Sequence, residues 1–181
     1  MLIRTLTADD AAAFQALRLA GLLECPSAFA SSHAEEAPTP MDVVAARLVA
    51  GADRACLGAF DDTMWGPALV GVVGLQREGM AKMQHKAFIW GLYVAPAHRA
   101  GGIGRRLISQ VLAYAAQTMG VRQVLLGVNA HNSAALALYE ALGFVAFGRE
   151  PGFMVLNGQL HDEIHMLRVL TAADGKAGPV L

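Results

Sequence analysis

The chain has 181 residues, of which 55% are hydrophobic and 16% are charged, and its formal net charge at neutral pH is −1. This length fits one domain, and the composition excludes a largely disordered chain and a coiled-coil rod. The near-neutral charge argues against general nucleic-acid binding, and no apolar run reaches the roughly 18 residues that a membrane span needs. We expect no signal peptide, and two cysteines without a disulfide framework indicate a reducing compartment, the cytoplasm.

The N-terminal half is predicted to begin with a short strand at Leu2–Leu6. A capping box at Thr7 opens a helix that runs to about Leu23. Residues 26–40 are small, polar and proline-containing, which predicts a loop, and a second helix fits about Met41–Ala50. The strands that follow are predicted at Ala55–Phe60, Pro67–Gln76 and Ala87–Val94.

The C-terminal half continues the alternation of helices and strands. Its predicted elements are a helix from Gly102 to about Met119, a strand at Val121–Val128, a helix at Asn132–Leu142 and strands at Phe144–Gly148 and Asp162–Leu170 around a turn at Asn157–Gly158. This order predicts an α/β fold with helices on both faces of one sheet. We assign residues 1–170 to a single domain and expect residues 171–181, rich in Gly, Ala and Pro, to form a flexible tail.

Charge is distributed unevenly along the chain. Between Gly79 and Tyr139 there are six Lys or Arg residues and no Asp or Glu, so this stretch carries +6 and the remainder −7. A cationic middle in a near-neutral protein indicates one local anionic ligand. The alternative is a chance distribution in an apolar, buried middle of the chain.

A glycine-rich turn lies inside this cationic stretch, where residues 94–104 join a predicted buried strand to a long helix. Glycines let backbone amides approach a ligand closely, and a helix N-terminus offers unpaired N–H groups and a partial positive charge. The turn therefore suits a phosphate or pyrophosphate, although a tight turn without a ligand is the structural alternative.

Two familiar phosphate-binding motifs do not fit. A Walker A loop requires Gly-Lys-Ser or Gly-Lys-Thr, which the sequence lacks. A dinucleotide-binding loop would need Gly or Ala where Leu107 stands, and it would need an acidic residue about 20 positions further on. The pattern that remains is Arg-x-x-Gly-x-Gly, formed by Arg99, Gly102 and Gly104.

This pattern resembles motif A of the GNAT superfamily of N-acetyltransferases, whose loop holds the pyrophosphate of acetyl-CoA. The segment 128–144, which contains Asn132, Tyr139 and the pair Gly143–Phe144, is similar to motif B of the same superfamily. One predicted helix and one predicted strand separate the two segments, as the superfamily requires. The resemblance covers roughly residues 69–170, with a weaker match before them.

The resemblance implies a single GNAT-like domain with a mixed, mostly antiparallel sheet of about seven strands. The strands Ala87–Val94 and Val121–Val128 would splay apart to admit acetyl-CoA, and Tyr139 would protonate the leaving thiolate. Without motif B, Tyr139 would be interpreted as an ordinary core aromatic. The implied cofactor-binding residues are Leu92 and Val94 through their backbones, Arg99, Ala100, Gly101, Gly102, Ile103, Gly104, Arg105 and Asn132.

The general base stays open at this point. Some members of the superfamily carry a Glu on the strand before motif A, but this strand begins Ala87-Phe88-Ile89-Trp90 without an acid. Water is one alternative, and the side-chain candidates are His85, His131, Glu35, Glu36 and Glu150. By family likeness, Asp162 or Glu163 could instead face the acceptor pocket.

The segment His161-Asp162-Glu163-Ile164-His165 approximates a zinc-binding signature, but that signature needs Glu in second place and a helix. Here the alternation of side chains predicts a strand, so we expect no metal.

The sequence thus favours an N-acetyltransferase that moves an acetyl group from acetyl-CoA to a primary amine by direct attack. The alternative is a catalytically silent, coenzyme A-binding sensor or regulatory module of the same fold. The acids of the flanks, Glu24, Glu35, Glu36, Glu150, Asp162 and Glu163, suggest a cationic or zwitterionic acceptor. We expect neither nucleic acid nor membrane as a partner, and a homodimer is an open alternative to a monomer.

Overall fold

The computed structural model describes residues 1–64, 66–171 and 174. Its strands are β1 (Leu2–Thr5), β2 (Arg54–Thr63), β3 (Gly66–Arg77), β4 (Lys86–Val94), β5 (Gln123–Asn129), β6 (Val145–Leu156) and β7 (Gln159–Val169). Its α-helices are α1 (Ala11–Glu24), α2 (His33–Glu36), α3 (Met41–Leu48), α4 (Ile103–Gln117) and α5 (Ser133–Glu140). The tail predicted for residues 171–181 lies outside the described residues, except for Thr171 and Asp174.

One sheet of seven strands, in the order β1-β2-β3-β4-β5-β7-β6, organises the described part of the chain. The β4–β5 pair is parallel, and every other neighbouring pair is antiparallel. The parallel pair needs a crossover, which α4 provides. The predicted mixed and mostly antiparallel sheet is therefore confirmed.

Helices cover both faces of the sheet, as the sequence predicted. Two neighbouring residues of β2, Cys56 and Leu57, are both buried but belong to different hydrophobic clusters, one on each face of the sheet. Leu57 joins the cluster that contains Leu107 and Val111 of α4, whereas Cys56 joins the cluster that contains Phe14 of α1. Successive residues of a strand point to opposite faces, so α4 and α1 lie on opposite sides of the sheet.

Strands β4 and β5 pair at one end and separate at the other. Their register extends only from Lys86↔Gln123 to Phe88↔Leu125. Beyond Phe88, no strand of the described residues pairs with the edge of β4 that would face β5. The predicted splay of these two strands is confirmed, and it opens a cleft in the middle of the sheet.

A β-bulge lies in the unpaired part of β4. The register against β3 shifts between Val72↔Tyr93 and Gly74↔Trp90, which leaves one extra residue on β4. Gly91 takes φ +65°, a conformation that favours glycine. Bulges re-aim the backbone next to them, so this one directs the end of β4 toward the cleft.

Two parts of the sequence prediction differ from the structure. The final hairpin is longer than predicted, because β6 continues to Leu156 and β7 begins at Gln159. Pro151 and Gly152 suggest a loop, but β6 is the outer strand, where proline is tolerated, and the register shift between Glu150 and Met154 accommodates them. The predicted loop at 26–40 also contains the short helix α2, which Ser32 caps.

Among the described residues, no helix combines the length and the apolar character that crossing a membrane would require.

Candidate active site

The turn between β4 and α4 forms one wall of a cleft of about 580 Å³. The other walls come from the end of β4, the start of α5 and the segment after α1. Nine of the ten residues predicted to bind the cofactor line this cleft: Leu92, Val94, Arg99, Ala100, Gly102, Ile103, Gly104, Arg105 and Asn132. The tenth, Gly101, lies in the same turn without bordering the cleft. The structure therefore brings together residues that are up to 40 positions apart in the sequence.

The turn presents the start of α4 to the cleft. Gly102 is the N-cap residue of α4, with φ +75°. The first hydrogen bond of the helix runs from the Arg106 N–H to the Gly102 carbonyl, at 3.0 Å. The amides of residues 103–105 precede this first helical bond, so they have no acceptor within the helix. A Cβ at Gly102 would meet nothing within 4 Å. These features suit a phosphate-sized anion, which the helix dipole also favours.

Replacing Gly102 by aspartate is expected to weaken coenzyme A binding about 10- to 100-fold, because a carboxylate would stand beside the site proposed for the pyrophosphate. Gly102→Asn is the matched control, since asparagine has the same size and similarly tolerates a positive φ but carries no charge. Calorimetric titration of both variants checks the prediction. Equal affinities for the two variants would contradict an anion site here.

Arg99 reaches the cleft but already has a partner. Its guanidinium makes two contacts with the Glu24 carboxylate at the end of α1, at 2.8 and 2.6 Å, and its Nε donates to the Val94 carbonyl at 2.9 Å. The Tyr93 hydroxyl also donates to Glu24, at 2.7 Å. The Arg99 guanidinium, followed by the Tyr93 hydroxyl, holds the pKa of Glu24 below its usual value. Arg99 thus ties the turn to α1, and its contact with phosphate stays a prediction.

Tyr139 lies beside the cleft rather than in it. Its side chain borders a smaller cavity of about 90 Å³ that also contacts Leu92, Asn132 and Gly91. The residue is only 6% exposed, and its ring packs edge-on against Phe144 with a centroid distance of 5.8 Å. Burial raises the pKa of the Tyr139 hydroxyl to about 12, so the hydroxyl keeps its proton at neutral pH. No hydrogen-bond partner for it is found among the described residues.

Asn132 caps α5 as the resemblance implied. Its Oδ1 accepts a hydrogen bond from the Ala135 N–H at 3.1 Å. This cap fixes the start of the helix that carries Tyr139. Asn132 therefore positions Tyr139 and also borders both the cleft and the smaller cavity.

A second large cavity, of about 650 Å³, lies on the other side of the β4 bulge. We call it the acceptor cavity. It shares Ala28 and Phe29 with the cleft, and it shares Gly91 and Gly127 with the small cavity beside Tyr139. Leu92, the residue after Gly91, lines both the small cavity and the cleft, so the small cavity adjoins both larger spaces at the bulge.

Glu163 on β7 faces the acceptor cavity. A Cβ on Gly127 of β5 would stand 2.0 Å from its Oε1, so the carboxylate occupies the space that the missing side chain of Gly127 leaves. Burial raises the pKa of Glu163 above its usual value, and His165, with its Nδ1 3.7 Å from the carboxylate, opposes that effect. No hydrogen bond to this carboxylate is found in the described part of the chain.

The other predicted acids have firm partners. Asp162 accepts from the Arg149 guanidinium and from the Gly152 N–H, and Glu36 pairs with Arg18. Glu24 pairs with Arg99, and Glu150 contacts His165. Glu35 forms a capping box with Ser32 at the start of α2. Among the six acids, Glu163 is therefore the one for which no hydrogen-bond partner is found within the described residues.

Two histidines were proposed as bases, His85 and His131. Neither borders the acceptor cavity or the cleft.

The segment 161–165 lies in β7, as the alternation predicted. Its two histidines are therefore spaced along a strand rather than along one face of a helix. No group of three or more potential metal ligands was found within the described residues.

Several residues of the site escaped the sequence argument. Arg18, Gly127 and the bulge at Gly91 have no local motif, because their positions depend on neighbouring strands or on α1 packing against the sheet. The one available signal was the Gly127 position inside the predicted strand Val121–Val128, since such a glycine often marks a close approach.

Known proteins match this arrangement. The model of the acetyltransferase (GNAT) family matches residues 22–144, more than half of the chain. The N-alpha-acetyltransferase RimI of Mycobacterium tuberculosis is 37% identical over 94 residues, which are 51% of this chain and 56% of that protein. The chain spans about a quarter to about half of the length of the first curated relatives that it matches.

Solved structures share the fold. The GNAT-family acetyltransferase from Streptococcus pneumoniae has a TM-score of 0.80 at 21% identity, covering 94% of this chain and 99% of that one. The Salmonella typhimurium protein yncA, determined with its cofactor acetyl-CoA, has a TM-score of 0.76 at 22% identity, covering 99% of this chain and 97% of that one. Together with the family match, the fold and the glycine-rich turn lead to one conclusion: the chain belongs to the GNAT family of acetyltransferases.

Proposed function

We propose that this chain transfers the acetyl group of acetyl-CoA directly to a primary amine. The observation that carries the proposal is that the small cavity beside Tyr139 adjoins both larger spaces at the β4 bulge, through Leu92 of the cleft and Gly91 of the acceptor cavity. One space would hold acetyl-CoA, the other would hold the amine, and the two would meet at the bulge. No covalent intermediate on the protein is needed for such a transfer.

The residues of the cleft fit acetyl-CoA, which supplies an activated acetyl group as a thioester. The amides at the start of α4 would bind its pyrophosphate, with the predicted help of Arg99 and Arg105. The backbones of Leu92 and Val94 would bind the pantetheine arm and the acetyl carbonyl, because this part of β4 has no β5 partner. An N–H donor at that carbonyl would stabilise the negative charge that develops during attack.

Two protons must move during the transfer. The amine has to lose a proton to become nucleophilic, and the thiolate has to gain one as it leaves. We assign the first proton to the Glu163 carboxylate and the second to the Tyr139 hydroxyl. Burial raises the pKa of Glu163, which makes its carboxylate a stronger base than that of an ordinary glutamate, and the pKa of about 12 keeps Tyr139 protonated.

The proposal is tested by thiol release from acetyl-CoA with a panel of small amines and peptides, with the acetylated product identified by mass spectrometry. Amine-dependent release of thiol, with a matching acetylated amine, is the expected result. Tight binding of coenzyme A without turnover of any amine would favour the silent binding module instead.

Gly127→Ala is expected to lower kcat at least 10-fold while the protein still folds. The new Cβ would displace the Glu163 carboxylate, a flexible group that can move, and a shift of about 1 Å at a reacting group can cost about 10²-fold. Gly148→Ala on β6 is the matched control, because its Cβ would meet nothing nearer than 3.9 Å. Rates and thermal unfolding of both variants check the prediction. A Gly127→Ala variant with the wild-type rate would contradict the role of Glu163.

We also infer a cytoplasmic location and a homodimer. Cys25 and Cys56 are free thiols, which supports a reducing compartment. Val145, Phe147 and Val155 expose apolar side chains on the outer strand β6, which supports a self-association surface there. Light scattering of the purified chain tests the second inference, and a monomer at all concentrations would overturn it.

A further inference from the structure

Arg18 of α1 is a buried cation in the wall of the acceptor cavity. The residue is 6% exposed, and its guanidinium lies over the Phe29 ring, 4.6 Å from the centroid. Its Nη2 donates to Glu36 Oε1 at 2.8 Å and to Ser31 Oγ at 2.7 Å, and its Nε donates to the same Glu36 oxygen at 3.3 Å. These contacts fix the orientation of the guanidinium plane.

The third nitrogen, Nη1, is buried and has no hydrogen-bond partner within the described residues. It points to the β4 bulge, because it lies 3.5 Å from the position that a Cβ of Gly91 would take. A buried donor without an acceptor is destabilising. An oxygen of a bound ligand in the acceptor cavity would remove that cost.

The charges around the cavity specify the kind of oxygen. Three arginines and two glutamates line it: Arg18, Arg47, Arg54, Glu36 and Glu163. Glu36 serves two of these arginines, since its Oε2 also lies 3.7 Å from the Arg47 guanidinium. The lining therefore has one positive charge in excess when Glu163 is ionised. A carboxylate would balance this charge, and a neutral carbonyl would not.

We propose that Arg18 Nη1 binds the carboxylate of the acceptor, so that the substrate is an amino carboxylate whose amine faces Glu163. This assignment rests on the proposed acetyl transfer and narrows its substrate to a zwitterion. It also revises the expectation of a generally negative acceptor region, because only Glu36 and Glu163 of the six acids line the cavity. A peptide N-terminus, which offers Arg18 a carbonyl, is the competing acceptor.

The test compares three acceptors that differ at one group. Each of the common L-amino acids is assayed beside its carboxamide and its decarboxylated amine, with kcat and KM measured separately. A hydrogen bond to a charged group contributes about 1.5–3 kcal/mol. We therefore expect the best amino acid to exceed its decarboxylated amine about 10- to 100-fold in kcat/KM, chiefly through KM. Its carboxamide should fall between them.

The Arg18→Lys variant tests whether the preference for the amino acid depends on Arg18, because lysine keeps the charge beside Glu36 but loses the forked donors. In this variant the preference for the amino acid should fall to less than about a third of the wild-type ratio. Arg4→Lys is the matched control, since Arg4 pairs with Asp10 and lies over the Phe60 ring, remote from the cavity. Arg4→Lys should keep the wild-type ratio.

Each outcome decides the matter. Equal use of the amino acid and the decarboxylated amine, or a better carboxamide, overturns the carboxylate site while leaving acetyl transfer intact. A preference that survives Arg18→Lys overturns the assignment to Arg18. If that variant does not fold, the wild-type comparison of the three acceptors still decides. Failure of every amine to release thiol overturns the proposed function, and this inference with it.

Discussion

Replacing Glu163 by glutamine is expected to lower kcat by about 10²–10⁴-fold, the usual contribution of a general base. The wild-type rate should fall as the pH drops through the raised pKa of Glu163, because protonation removes the base. In Glu163→Gln this acidic limb should disappear. A complete pH–rate profile of both proteins at saturating acetyl-CoA measures the effect.

Glu163→Gln should lower the rate but should not lower the stability of the fold. Burial disfavours the ionised form of Glu163, so the carboxylate lowers the free energy of unfolding at pH values above its folded-state pKa. Below its unfolded-state pKa this cost is absent, since the group is protonated in both states. Glu163→Gln should therefore be at least as stable as the wild type at neutral pH, so a lost rate cannot be attributed to unfolding.

Glu150→Gln is the matched control for this prediction. Glu150 stands directly opposite Glu163 in the β6–β7 register, is more exposed, and contacts His165. Its charge raises the pKa of Glu163, so its removal should retain the rate and move the acidic limb to lower pH. An unchanged rate and limb in Glu163→Gln would show that another group, or water, takes the proton.

Tyr139→Phe is expected to slow turnover by about 10²–10⁴-fold without weakening coenzyme A binding. The hydroxyl has no hydrogen-bond partner in the described part of the chain, so its removal should not lower stability. Because the pKa of Tyr139 is raised to about 12, this group should cause no loss of rate between pH 7 and about 10. Steady-state kinetics and calorimetric titration together check both statements.

Tyr114→Phe provides the contrast. Tyr114 is also a buried helix tyrosine, but its hydroxyl donates to the Gly51 carbonyl at 3.1 Å, outside the three cavities. This variant should lose about 0.5–1.5 kcal/mol of stability and keep its rate. Equal rates for wild type and Tyr139→Phe would remove the Tyr139 hydroxyl from the mechanism.

The sequence predicted the parts of the site that depend on local chemistry. The glycine turn, the helix start at Gly102 and the Asn132 cap each require particular residues within a few positions of one another. Resemblance to the GNAT superfamily then added the splay of β4 from β5, which no local pattern contains. The local predictions succeeded because short-range backbone geometry limits the residues that can satisfy it.

The acceptor side was less accessible to sequence reasoning. Glu163 meets Gly127 only because β7 pairs with β5, although the two residues are 36 positions apart. The pairing of Arg18 with Glu36 likewise depends on how α1 and α2 pack together. The sequence grouped six acids of the flanks as one negative acceptor region, and only the sheet register and the ion pairs separated them.

A crystal structure of the chain with bound coenzyme A tests the proposed acetyl transfer most directly. We expect the pyrophosphate within hydrogen-bond distance, about 2.7–3.2 Å, of amides in residues 102–105. We also expect the sulfur beside the Tyr139 hydroxyl, with the acceptor cavity left open next to it. Coenzyme A bound elsewhere, or with its sulfur directed away from Tyr139, would contradict the proposed transfer.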